Sequence, residues 1–311
     1  MSKSEEKKLL VAIDGSRRSI DTMRYITEMP VLCGMQIHLF HVFGAVPEAY
    51  WDLQKEPTAI NNFSQVHAWE SQNLKLIEEH INNCKDILLA NDVNPKSIHI
   101  NISKRKKTVA QDIMTEAQKG YEALVMRRRG MTKLQKLVLG STAQKLLNAL
   151  NDVPIIFAGR KKESNKVLLA FDGSDNSFRA VEFACNYLKP GYHEVNIISV
   201  LRSYQSDDLR DGGYEDFKYI LQLRLETLNE KLDEAVTKFR SSGFAMESIK
   251  SRVISDAYSR AGTIVDFADK DEIGTIIAGR RGNSLNSDYP LGRVSQKILQ
   301  LGAAHSVWII N

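Results

Sequence analysis

The stretch "KKLLVAIDGSRRS", residues 7–19, returns as "NKVLLAFDGSDNS" at residues 165–177. Each version is a short apolar run that ends at Asp-Gly-Ser, the pattern of a buried parallel strand running into a tight turn. Asp14 maps onto Asp172 at an offset of 158, whereas Arg129-Gly130 and Gly140 map onto Arg281-Gly282 and Gly292 at an offset of 152. The six-residue difference must be absorbed by loops. Two copies of one domain are therefore expected, residues 1–160 and 161–311, joined by the polar segment Lys161–Asn165 (KKESN). The length agrees, since 311 residues exceed what one hydrophobic core usually serves.

Working outward from Asp-Gly-Ser, Val181, Ala184, Cys185 and Leu188 fall at the i, i+3, i+4, i+7 spacing of an amphipathic helix. A second strand follows at Gln36–Val42 and Glu194–Val200. A long helix comes after a variable region that holds Tyr50 and Trp51. Its apolar stripe is Val66, Trp69, Leu76, Ile77, His80, Ile81, Cys84, Ile87 and Leu88 in copy one. In copy two it is Phe217, Ile220, Leu221, Leu228, Leu232, Ala235 and Phe239, stopped by Gly243. His80 sits on that stripe and reads as a packed histidine rather than a metal ligand. A third strand, a helix, a fourth strand (Ala123–Met126; Gly274–Ala278), another helix and a last strand complete each copy. Such alternation predicts two tandem doubly wound α/β domains, each with a parallel sheet and helices on both faces.

Composition excludes several classes of function. With 42 Lys and Arg against 38 Asp and Glu, the formal net charge of +4 is too balanced for a nucleic-acid coat. The run Lys104–Lys107 lacks interleaved aromatics and reads as a solvated cluster. Cys33, Cys84 and Cys185 form no metal-ligand or CxxC spacing, so they are expected as reduced, packed thiols. Neither a signal-peptide core nor a membrane-length apolar run is present, and a soluble cytoplasmic protein is expected.

In open parallel sheets, ligands bind beyond the carboxyl ends of the strands where strand order reverses. If strands one and four are neighbours there, the Asp-Gly-Ser turn faces the Arg-rich loop. In copy two that loop reads "AGRRGNSLNSDYPLGRV", residues 278–294, with Gly279, Gly282 and Gly292 spaced G-x2-G-x9-G. The first two glycines would let backbone amides approach a phosphate, and the third opens a helix whose N-terminus favours an anion. The loop is neither a Walker A motif nor a dinucleotide fingerprint.

With these motifs the chain resembles a tandem universal stress protein over nearly all of its 311 residues. The resemblance implies a five-stranded parallel sheet of order 3-2-1-4-5 in each domain and dimers formed through the last strand. It also implies ATP or AMP, with or without magnesium, at the strand one/strand four switch point. Carried over residue by residue, Asp172, Gly173 and Ser174 would meet the ribose and phosphate region, and Val200 and Leu201 would border the adenine. Gly279, Gly282, Asn283, Gly292, Arg293 and Val294 would surround the phosphates. The matching, weakened set in copy one is Asp14, Gly15, Ser16, Val42, Phe43, Arg127, Gly130, Gly140, Ser141 and Thr142.

Both copies depart from the pattern. Arg127 stands where the first glycine belongs, and Arg293 replaces the Ser or Thr that should follow the third. For Asp14 and Asp172 a turn or N-cap role competes with ligand binding, and the arginines 127–129 have mere exposure as the alternative to phosphate contact. No nucleophile–base pair or metal cluster recurs between the copies, and His41 is Ser199 in copy two. Catalysis beyond slow ATP hydrolysis is not expected.

The apolar final strands, Val153–Ala158 and Ser306–Ile310, would aggregate if left bare. They are expected to pair with each other within one chain, leaving a homodimer as a further option. The expected function is a stress-response regulatory protein binding adenine nucleotide, in the second domain rather than the first. The competing reading is a nucleotide-free scaffold acting through protein contacts or another small ligand.

Overall fold

The computed structural model describes residues 7–16, 18–44, 60–128, 139–162, 164–202, 214–282 and 290–311, with side chains in the two long helices from 70 and 219 onward. Tyr50, Trp51, Val66, Trp69, Arg129, Gly130, Phe217 and Asn283 therefore lie outside what can be described at side-chain level. The first domain runs β1 (Lys8–Ala12), α1 (Ser19–Glu28), β2 (Gln36–Phe43), α2 (Ile60–Leu89), β3 (Ile98–Lys104), α3 (Val109–Ala117), β4 (Ala123–Arg127), α4 (Ser141–Ala149) and β5 (Ile155–Ala158). The second repeats it as β6 (Lys166–Ala170), α5 (Asp175–Tyr187), β7 (Glu194–Arg202), α6 (Tyr214–Ser241), β8 (Ile249–Ala257), α7 (Arg260–Lys270), β9 (Thr275–Gly279), α8 (Arg293–Leu301) and β10 (Ser306–Ile310).

Among the described residues ten strands form one sheet in the order β3-β2-β1-β4-β5-β10-β9-β6-β7-β8. Within each domain the order is 3-2-1-4-5 and the pairing parallel, as the resemblance implies. At the seam β5 and β10 run antiparallel, with Trp308 opposite Ile156. The final strands thus cover each other within one chain, and the C-terminal edges of the two domains point to opposite ends of the sheet.

Strand side chains alternate between two cores, one on each face. Leu9, Val11, Ile156, Leu169, Ile277 and Trp308 share one with α1, α2, α5 and α6. Leu10, Leu124, Phe157, Leu168, Ile276 and Val307 share the other with α3, α4, α7 and α8. Each core mixes residues from both domains, so burial is continuous across the seam. The three thiols are free, with Cys84 buried and Cys33 and Cys185 half-buried.

The apolar stripes of the long helices are not buried throughout. Leu76 is 56% exposed and Ile220 59% exposed, contrary to the core role their spacing suggests. A helix of 30 residues is about 45 Å long at 1.5 Å per residue. It outruns strands of four to nine residues, and its far turns have no sheet to cover.

The seam is also held by polar groups. Fully buried Trp308 of β10 donates from Nε1 to the Tyr25 hydroxyl of α1 at 2.6 Å, which lies 3.0 Å from Thr275 Oγ1. Trp308→Phe keeps most of the ring area but removes that donor. It is expected to cost about 1–2 kcal/mol in urea denaturation; an unchanged midpoint would refute a net contribution.

His193, 1% exposed, accepts the Lys189 amide at Nδ1 (2.8 Å) and points Nε2 at Met29 Sδ across the seam (3.4 Å). Burial pushes its pKa below the ordinary 6.5, against the smaller opposing effect of the Lys189 backbone. Between the folded and unfolded values the unfolded chain binds more protons, so stability rises with pH in that window. The contribution is present above about pH 6.5 and is lost as pH falls through the lowered folded value. Comparing urea midpoints at pH 7.5 and 5.5, His193→Gln should lose less stability on acidification than the native chain.

Candidate functional site

Each strand order reverses at its domain's first strand, β1 between β2 and β4 and β6 between β7 and β9. The helices that follow β6 and β9 pack on opposite faces, as shown by Val181 of α5 in one core and Ile298 of α8 in the other. Their entry loops part above the sheet and leave a crevice at the carboxyl end of β6.

The Asp-Gly-Ser turn is built alike in both domains. Gly15 and Gly173 have φ of +74° and +73°, the left-handed region open to glycine. That twist returns the Ser16 or Ser174 amide to Oδ1 of Asp14 or Asp172, 3.0 Å in both cases. Ser174 also donates its hydroxyl to Asp172 Oδ1 at 2.5 Å and caps α5 by accepting the Ser177 amide. Burial works to raise the Asp14 pKa, but hydrogen bonds from Ser16 and Ser19 outweigh it and hold the carboxyl below its ordinary value. His41 and Ser199 prove interchangeable: Nδ1–H of one donates to Ile13 O at 2.7 Å and the hydroxyl of the other to Phe171 O at 2.8 Å. Both brace the strand end just before the aspartate, and neither is held as a general base.

In the second domain the crevice is a cavity of about 380 Å³. Of the residues expected at a site, Asp172, Val200, Leu201, Gly279, Gly282, Gly292, Arg293 and Val294 line it. Gly173 and Ser174 stand behind it as turn and cap, and Lys231 Nζ donates to the Gly173 carbonyl at 2.7 Å. Val200 and Leu201 are nearly buried and make one end apolar. The glycine loop and the opening turn of α8 make the other end polar.

The glycines have a second reason beyond approach to an anion. A Cβ on Gly279 would lie 2.8 Å from the backbone of Asn176 in α5, and one on Gly282 would lie 2.1 Å from Asp172 Oδ2. Gly279 therefore lets helix α5 start against the strand end, and Gly282 lets the loop close over the aspartate.

The first domain is arranged differently because it lacks the glycine that matches Gly279. Arg127 turns its guanidinium onto α1, donating to Arg18 O at 2.9 Å and to Asp21 Oδ2 at 2.5 Å. Helix α5 begins directly after Ser174, whereas α1 begins only at Ser19 and has no side-chain cap. Asp14, Gly15, Ser16, Val42, Phe43, Gly140, Ser141 and Thr142 keep their places at the strand ends and at the start of α4. Gly130 lies outside the described residues, as does Asn283 of the second domain.

Arg128 has neither of the two roles expected for it, and Arg280, for which no role was expected, mirrors it. Arg128 crosses the seam and donates to Leu299 O at 2.6 Å and to His305 O. Arg280, 4% exposed, crosses in the other direction to Leu150 O at 2.6 Å and to Leu147 O, while Nε holds Pro290 O at 2.8 Å. Each caps the C-terminal turn of the other domain's last helix, where a cation complements the dipole. Lys104–Lys107 are exposed, as a solvated cluster should be.

Sequence reasoning missed Arg224, Arg260 and Arg281, which also line the cavity. A signal existed for Arg260: it opens α7, where a cation opposes the helix dipole. Magnesium does not fit the residues present. Among the described residues Asp172 is the lone carboxylate lining the cavity; it already accepts two bonds at Oδ1, and position 293 lacks the small hydroxyl. Among the described residues no group of three or more His, Cys, Asp or Glu could hold a metal ion, and no helix is long and apolar enough to cross a membrane.

The family model described as "Universal stress protein family" matches residues 6–152 and again 163–311. A universal stress protein of Bacillus subtilis strain 168, YxiE, is 30% identical over 142 residues, covering 44% of this chain and 93% of its own. A universal stress protein crystal structure from Archaeoglobus fulgidus superposes with a TM-score of 0.59 at 17% identity, covering 99% of both chains. A functionally unknown protein from Pseudomonas aeruginosa PAO1 does so with a TM-score of 0.57 at 16% identity, covering 98% of this chain and 92% of its own.

Proposed function

The chain belongs to the universal stress protein family, and on that premise we propose that it is a cytoplasmic stress-response regulator whose second domain binds an adenine nucleotide. The observation that carries this reading is the cavity shared by Asp172, Val200, Leu201, Gly279, Gly282 and Gly292. Its apolar end at Val200 and Leu201 suits a purine, and the start of α8 suits phosphate. Asp172 stands between them, where a carboxylate can accept a ribose hydroxyl. Among the described residues none in the lining is placed as a nucleophile beside a base, so the reading is binding and signalling rather than turnover.

The first domain takes a structural part in this reading. Arg127 directs its guanidinium to Asp21 and Arg18, and its helix start has receded to Ser19. One site per chain is the expected stoichiometry. The domain limits proposed are 1–160 and 161–311.

The test is to release and identify small molecules from the purified chain by mass spectrometry, then titrate the stripped protein with ATP and AMP. About one adenine nucleotide per chain supports the reading. Repeated absence of nucleotide together with a flat titration would favour a scaffold that works through protein contacts.

A further inference from the structure

Among the described residues four arginines line the second-domain cavity against one carboxylate, Asp172, a formal balance of +3. They come from four separate places: Arg224 from α6, Arg260 from the start of α7, Arg281 from the loop after β9 and Arg293 from the start of α8. Among the described residues none of the four is paired with an acidic side chain. Arg281 Nε is buried without a hydrogen-bond partner.

Two of these positions work against the fold's own electrostatics. Arg260 and Arg293 are the first residues of their helices, and neither helix has an acidic residue in its first turn. A cation there faces the positive end of the dipole and destabilises the helix unless an anion sits between them. The first domain avoids this arrangement: its equivalents are Val109 and Ser141, and α3 carries Asp112 in its first turn. Arg260 and Arg293 are thus a property of this cavity, not of the fold.

We propose that the cavity takes its nucleotide as a multiply charged polyphosphate, a nucleoside triphosphate, neutralised by Arg224, Arg260, Arg281 and Arg293 in place of a divalent cation. This rests on the nucleotide reading above. Guanidinium groups supply forked donors to phosphate oxygens and need no metal to balance charge. A triphosphate stripped of magnesium brings the most negative charge to these donors and binds best. A monophosphate leaves most of them unmatched.

The experiment is calorimetric titration of the full stripped chain with ATP, ADP, AMP and inorganic tripolyphosphate, each with EDTA and with excess magnesium. The order ATP, ADP, AMP is expected, with about tenfold between neighbours, and ATP in EDTA at least as tight as ATP with magnesium. AMP binding as tightly as ATP, or ATP binding only with magnesium, overturns the proposal. Tripolyphosphate binding without any adenine nucleotide binding would uphold the anion site and sink the adenine reading; no binding by any probe sinks both. Arg260→Val and Arg293→Ser install the first domain's residues, so folding should survive, with melting temperature unchanged or raised. Each should lose about tenfold in ATP affinity and less in AMP affinity, and native ATP affinity in both variants would refute the assignment.

Discussion

Replacing Arg280 with methionine is expected to destabilise the whole chain by about 3–5 kcal/mol, because several buried oxygen acceptors lose a charged donor at once. Arg280 Nη1 donates to Leu150 O and to Asn311 Oδ1 at 2.6 and 2.7 Å, Nη2 reaches Leu147 O, and Nε holds Pro290 O. Methionine keeps much of the buried stem but leaves the last carbonyls of α4 without donors in a site closed to water. Each buried acceptor left unmet costs about 1–3 kcal/mol. Lysine should rescue little, because a point ammonium cannot serve acceptors spread around a planar fork. A melting temperature lower by about 10 °C is expected, near the lower end of the roughly 2–4 °C per kcal/mol of 150–250-residue domains. Arg281→Met next to it, on the cavity side, should stay within about 0.5 kcal/mol. Equal melting of Arg280→Met and the native chain would show that the clasp is not a stabilising contact.

The second large effect belongs to Gly282. A Cβ there would lie 2.1 Å from Asp172 Oδ2, far inside contact distance. In Gly282→Val either the carboxylate swings out of its turn or the loop lifts from the strand end, and both reshape the cavity between base and phosphate. Adenine-nucleotide affinity should fall at least about a hundredfold, or 2.7 kcal/mol. Gly130→Val, at the matching position of a domain where Arg127 is already committed to α1, should leave nucleotide retention near native. Equal losses from both variants would sink the asymmetry between the domains.

Much of this was legible in the chain before folding was considered. Asp14 and Asp172 close similar apolar runs, and that repeat points to tandem α/β domains; the strand order came with the family resemblance, and the seam from the need to cover two apolar last strands. The site's frame was legible because glycine spacing is a backbone property that survives in sequence. Its charge was not. Arg224 and Arg260 reach the cavity from α6 and α7, far from the motif, and only tertiary packing brings them to Gly282. The roles of Arg128 and Arg280 were hidden for the same reason, since their acceptors lie 171 and 130 residues away in Leu299 and Leu150. Leu76 and Ile220 misled because periodicity reports which face of a helix is apolar, not where the sheet beneath it ends.

The crossed arginines have a mechanical consequence. Helix α4 opens at Gly140 on the first domain's switch-point edge and ends in the grip of Arg280, two residues from Gly282. Helix α8 opens at Gly292 in the second cavity and ends in the grip of Arg128, beside Arg127. The two struts and two clasps close a circuit that crosses the seam twice. A circuit of this kind has no hinge: neither half can swing on the short linker unless both clasps release and β5 parts from β10. The linker is then only a tether, and the molecule bears load as a single truss.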